Sequence, residues 1–212
     1  MLACCALVLV TSTGQAQLTN RIQFDSLQLS ALSMDVGGIR PRQTVPATVF
    51  GLAADYGRLS RTLRLRLEVS YWESRLADEV VRTFSDSLRR IISDPSGDDV
   101  VRYSRVTLYD VALGANVRWV PMQTALVQPF IGGGVAGHVI NAEGPAIDGT
   151  FVERVFDSIS TGLFVESGVM LEPLPRFGVD GRVRGDLVNG FRAVSVRVGG
   201  IYYFGPLRRI DP

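Results

Sequence analysis

The sequence predicts an all-β protein, an antiparallel up-and-down transmembrane β-barrel of about eight strands. Three observations predict it. Apolar and polar residues alternate with period 2 over long stretches, which marks strands with two unlike faces. The better stretches reach the roughly 9–11 residues that a strand needs to cross a bilayer. The connections between them alternate in length, as the two rims of a membrane barrel do.

The bulk properties fit this reading. A chain of 212 residues suits one domain. A formal net charge of +1 lacks the basic excess of a nucleic-acid binder. All 22 cationic residues are Arg, a pattern that GC-rich coding or a need for fork-shaped, permanently charged partners would produce. Mean hydropathy is mildly positive although 20% of residues are charged, so the two kinds are interleaved.

Residues 1–16 read as a signal peptide and 17–212 as the barrel domain. Leu2–Val10 is apolar but too short to span a bilayer as a helix. Gly14-Gln15-Ala16 then gives the small-x-small pattern of a cleavage site before Gln17. Cys4 and Cys5 fall in this leader, so the exported chain is expected to have neither a disulfide nor a thiolate metal site.

The strands follow in order. The first two, about 26–35 and 44–55, alternate least cleanly, and Pro46 suits a strand end. In 62–72, Leu63, Leu65, Leu67, Val69 and Tyr71 oppose Arg64, Arg66, Glu68 and Ser70. In 105–119, Tyr109, Val111, Leu113, Val117 and Trp119 oppose Asp110, Gly114, Asn116 and Arg118. The Gly-rich segments 127–140 and 158–171 alternate more weakly, with Glu166 on the polar side. In 176–187, Val179, Val183 and Leu187 oppose Asp180, Arg182, Arg184 and Asp186. In 192–204, Val194, Val196, Val198 and Tyr202 oppose Ser195, Arg197 and Gly199.

Short connections fall at 55–60, 121–125 and 172–175, and long ones at 75–102 and 141–157. In the first long one, Leu76, Val80, Phe84, Leu88 and Ile91 have helical spacing and predict an amphipathic helix.

The polar face indicates which way the barrel faces. It carries both charge signs: Arg64, Arg66, Glu68, Asp110, Arg118, Glu166, Asp180, Arg182, Arg184, Asp186 and Arg197. An eight-stranded barrel is just wide enough for side chains to fill, so opposite charges can neutralise one another there. Gly114, Gly132, Gly134, Gly162, Gly168, Gly178 and Gly199 share that face and leave room for long Arg side chains. Aromatics near strand ends predict interfacial girdles: Trp119, Phe130, Phe177, Tyr202 and Phe204 by the short turns, and Tyr71, Trp72 and Tyr103 by the long loop.

On the leader, the alternating strands and the closing segment Val198-Gly-Gly-Ile-Tyr-Tyr-Phe204, the chain resembles the eight-stranded outer-membrane β-barrel superfamily typified by the OmpA transmembrane domain. The closing segment looks like the terminal-strand signal read by the outer-membrane assembly machinery, though Gly205–Pro212 follows it. The resemblance implies a location in the outer membrane, contact with its lipid and lipopolysaccharide, and a structural, adhesive or minor porin-like role carried by the loops. No nucleic-acid partner is expected.

Dedicated chemistry is weakly indicated. His138 is the only histidine, and Ile140 stands where outer-membrane deacylases of similar size carry a Ser. Gly132–Gly134 lacks the Lys-Ser/Thr of a phosphate-binding loop. No metal-ligand spacing occurs, and no cofactor or catalytic residue is predicted. Two alternatives stay open: a lipid A-modifying enzyme using His138, and a soluble periplasmic lipocalin-like binding barrel with its polar face outward.

Overall fold

The computed structural model describes residues 27–60, 62–80, 82–83, 106–122, 126–143, 158–188 and 191–204. Eight strands follow one another: β1 (Ala31–Pro41), β2 (Ala47–Arg58), β3 (Leu63–Arg75), β4 (Thr107–Trp119), β5 (Val127–Glu143), β6 (Ser158–Leu174), β7 (Phe177–Val188) and β8 (Phe191–Tyr203). Each pairs antiparallel with the next, and β1 closes on β8 from Ala31↔Tyr203 to Pro41↔Ala193. Closure leaves no free sheet edge, so every strand finds its backbone partners within the sheet. At 11 to 17 residues, the strands have spanning length.

Burial alternates along the strands with the sense of a membrane barrel. On β8, Val194, Val196 and Val198 are exposed while Ser195, Arg197 and Gly199 are buried. The same holds for Leu113 against Asn116 on β4 and for Val183 against Arg182 on β7. A lipocalin-like barrel would face its valines inward and its arginines to water. The outward surface is instead apolar from β1 round to β8, the arrangement of a barrel that faces hydrocarbon.

Three sequence expectations shift. The first strand starts at Ala31, since Ser30 donates to the Asp55 carbonyl at the strand's foot and Asp35 joins its inward face. Leu76 extends the sheet instead of opening a helix: it bridges Thr44, and its N–H donates to the Val106 carbonyl at 3.0 Å. Residues 78–80 and 82–83 are helical, with Val80 packed against the barrel's apolar end, while Phe84, Leu88 and Ile91 lie outside the described residues. Leader 1–16 lies outside them too.

The tight connections have local causes. Gly57 has φ 85°, a left-handed conformation that favours glycine, at the irregularity between Asp55 and Arg58 where β2 turns into β3. Pro175 and Arg176 make the β6–β7 turn.

Glycines divide by face. An added Cβ at Gly134, inside the barrel, would collide with the Ala115 carbonyl oxygen and lie 2.8 Å from Asn116 Cα, whereas at Gly181, on the outside, it would meet nothing within 4 Å. Gly134→Ala is therefore expected to cost about 1–3 kcal/mol. Gly181→Ala is expected to stay within about 0.5 kcal/mol of the parent. Urea unfolding in vesicles would measure both, and equal effects would refute a tightly filled interior.

Candidate functional site

The inward face is the site that the fold builds. Its fully or nearly buried ionisable groups are Arg66, Arg118, Arg182, Arg184 and Arg197, the carboxylates Asp35, Glu68, Asp110, Glu166, Asp180 and Asp186, and His138. Burying unpaired charge is prohibitive, so such groups persist only in mutual contact.

The contacts run across the barrel axis. Arg182 on β7 reaches Asp35 on β1 at 2.7 Å, Asp180 at 3.1 Å, Glu166 on β6 at 3.6 Å and Glu68 on β3 at 3.9 Å. Arg118 on β4 holds Glu166 at 2.5 Å and Asp180 at 3.4 Å. Arg66 sits among Asp35, Asp55 and Asp180 at 3.7 to 4.0 Å. Arg184 pairs with Glu68 and, at 2.6 Å, with Asp186. Arg197 lies 3.7 Å from Asp35 and donates to Ser195 Oγ.

Aromatic faces cover two of these cations. Arg118 lies 4.2 Å from the Phe130 ring centre and Arg184 3.6 Å from that of Phe164.

Two further polar groups flank this centre. Towards the loop rim, Asp110 accepts from Trp72 Nε1 at 2.9 Å and faces His138 Nδ1 at 2.9 Å. Towards the turn rim, Glu172 accepts from Tyr203 Oη at 2.8 Å and Gln128 Nε2 at 2.9 Å, with Arg64 at 3.9 Å. The eleven charged residues singled out from the sequence thus fall into three groups, with Arg64 and Asp110 apart from the central nine.

Apolar side chains cluster at each end of the lumen. Ile39, Val49, Trp72, Leu76, Val106, Leu108, Ala142 and Ala193 pack together at the loop rim, and Phe191 stacks on Trp72 with ring centres 5.7 Å apart. Ala31, Val120, Phe130, Met170, Ile201 and Tyr203 pack at the turn rim. The central charges therefore lie between two apolar clusters.

These clusters correct the predicted girdle. Trp72 and Phe130 are buried inside the barrel at 2% and 3% exposure, not turned towards lipid. Strand parity carried the signal: Trp72 is in phase with Arg66 and Glu68, and Phe130 with Gly132 and Gly134. Tyr71, Trp119, Phe177, Tyr202 and Phe204 do face outward, and Tyr202 packs edge-on against both Phe177 and Phe204. Tyr103 lies outside the described residues.

Sequence reading missed Asp35, Asp55 and Glu172. Asp35 shares its inward face with Ser33, a phase readable once the first strand is placed at 31–41. Asp55 and Glu172 lie near the ends of β2 and β6, in segments that the sequence assigns to connections.

No family model matches the sequence, and the search of curated proteins finds no match. Among solved structures the chain is similar to Neisserial surface protein A, with TM-score 0.53 and 16% identity over 82% of this chain and 96% of that one. It is similar to the N-terminal β-barrel domain of Pseudomonas aeruginosa OprF, with TM-score 0.51 and 14% identity over 83% and 98%. It is also similar to the Pseudomonas aeruginosa outer membrane protein OprG, with TM-score 0.50 and 11% identity over 86% and 99%. At these identities the likeness is one of fold: the chain has the eight-stranded up-and-down architecture of outer-membrane barrels.

Proposed function

We propose that this chain is an integral outer-membrane protein whose barrel is a sealed anchor and whose role, structural or adhesive, is carried by the segments at its loop rim. The observation that carries the reading is the filling of the lumen. Cross-strand ion pairs occupy the middle and apolar side chains cluster at both ends, so solutes have no open aqueous route. The porin-like role is correspondingly the weaker part of the expectation.

The chain reaches the membrane, in this reading, after removal of residues 1–16, and the assembly machinery reads Val198–Phe204 at its last strand. Outer-membrane lipid and lipopolysaccharide surround the apolar belt. Tyr71 on the loop side and Trp119, Phe177, Tyr202 and Phe204 on the turn side serve as interfacial anchors. His138 argues against lipid modification, because it is 3% exposed, points into the lumen and lies beneath the loop-side cluster.

Planar-bilayer recording tests the sealed barrel: the expected result is no stable open conductance, and a steady open channel would overturn it. Cell fractionation tests the location. A heat-modifiable band in the outer-membrane fraction is expected, and a soluble periplasmic band would contradict it.

A further inference from the structure

We propose that the loop rim over β8 and β1 is a binding surface for the phosphate headgroup of an outer-leaflet membrane lipid, formed by Arg40, Arg42 and Arg192. The inference rests on the membrane placement proposed above.

All three arginines are exposed and lie in outward phase on adjacent strands. Arg40 stands opposite Val194, and the Arg42 N–H donates to the Arg192 carbonyl at 3.0 Å, which sets these two residues directly across from each other. Like charges facing each other across a strand pair are destabilising. Every carboxylate that an inward arginine needs is supplied by the barrel, yet these three form no ion pair with any described residue. A cationic cluster with no described carboxylate in contact is suited to an anionic ligand.

The surroundings narrow the anion to one that carries acyl chains. Immediately below the cluster the outward face turns apolar, with Val36, Val194, Val196 and Val198 all about half exposed. Between them Gly38, flanked by Val196 and Thr48, leaves a notch in which an added Cβ would meet nothing within 4 Å. A phosphate on the guanidiniums would thus have its chains against a valine surface. Arg binds phosphate through paired N–H donors and tolerates partial dehydration better than Lys, which suits the boundary between headgroups and hydrocarbon. In their outward phase β8 and β1 carry these arginines and no carboxylate, whereas on β3 the outward Arg75 stands two residues from Glu73.

The test uses the full chain, folded in neutral detergent micelles and probed by native mass spectrometry with phosphatidic acid, diacylglycerol, inorganic phosphate and a sulfated oligosaccharide. The parent is expected to retain phosphatidic acid in preference to diacylglycerol. Arg40→Gln/Arg42→Gln/Arg192→Gln is expected to lose that preference by about a hundredfold, since each cation near an anionic surface contributes about a factor of five. Arg176→Gln, at the other rim, is expected to leave it intact. Heat-modifiability on gels confirms folding of each variant, and Arg192→Gln alone, expected to lose about fivefold, serves if the triple variant does not fold.

Equal retention of diacylglycerol, or an unchanged variant, would overturn the inference. So would displacement of the lipid by inorganic phosphate or by the oligosaccharide at equal concentration, because the site would then read a soluble anion. A chain that folds and stays soluble without detergent would overturn the membrane reading as well. A folded, micelle-bound barrel without the lipid preference would overturn this inference alone.

Discussion

Replacing Arg182 with Met is expected to lower the unfolding free energy of the barrel by about 3–5 kcal/mol, the usual cost of removing one partner from a buried ion pair. The substitution keeps much of the side-chain volume, so little of the loss would come from a cavity. What it removes is the one cation shared by Asp35, Asp180, Glu166 and Glu68, contributed by β1, β7, β6 and β3. Arg66 and Arg118 remain in reach of Asp180, but Asp35 keeps only contacts of 3.7 to 3.8 Å. Adding Asp35→Asn is expected to recover part of the loss, because deleting both members of a buried pair costs less than stranding one. Arg64→Met provides the contrast. Its pair with Glu172 is long and its guanidinium donates only to Gln128 Oε1 at 3.1 Å, so a smaller loss of about 1–2 kcal/mol is expected. Urea titration in lipid vesicles measures all three, and a loss below about 1 kcal/mol for Arg182→Met would mean that the lumen is well hydrated.

Why the fold was legible and the pairings were not follows from the same chemistry. A strand exposes its phase in the sequence, and in Leu-Arg-Leu-Arg-Leu-Glu-Val-Ser over 63–70 that phase is nearly unbroken. Spanning length and alternating loop length then limit the architecture to a closed up-and-down barrel. Partner choice inside the barrel depends on register and stagger around the whole circumference. Arg182 meets Asp35 only because β1 closes on β8 with Asp35 opposite Gly199, and β7 sets Asp180 opposite that same Gly199. No local pattern encodes that coincidence. The apolar clusters were hidden for another reason. Nearness to a strand end suggested a girdle position for Trp72 and Phe130, but their strand phase pointed inward and outweighed it. The outward arginines at the loop rim were passed over because they break no pattern within their own strands; their significance lies in the carboxylates that the described rim does not place beside them.

The second large effect probes the outside. Val198 lies mid-strand on β8, 57% exposed and opposite Val36 and Gly181, so it faces the middle of the proposed hydrocarbon belt. Val198→Arg is expected to cost about 2–4 kcal/mol, the penalty for a cation on the lipid face at the bilayer midplane. Leu174→Arg, on an equally exposed residue at the turn-rim end of β6, is expected to cost about 0–1 kcal/mol, because its guanidinium reaches water at once. The same two substitutions on a water-soluble barrel would behave alike, each within about 0.5 kcal/mol. The dependence on depth therefore discriminates, since local packing does not explain it: both side chains lie on the surface and neither fills the core. Unfolding in vesicles with thinner hydrocarbon sharpens the comparison, because bringing water nearer to position 198 is expected to shrink its penalty while leaving that at 174 unchanged. A penalty at Val198 that ignores bilayer thickness would place this face against protein instead of lipid.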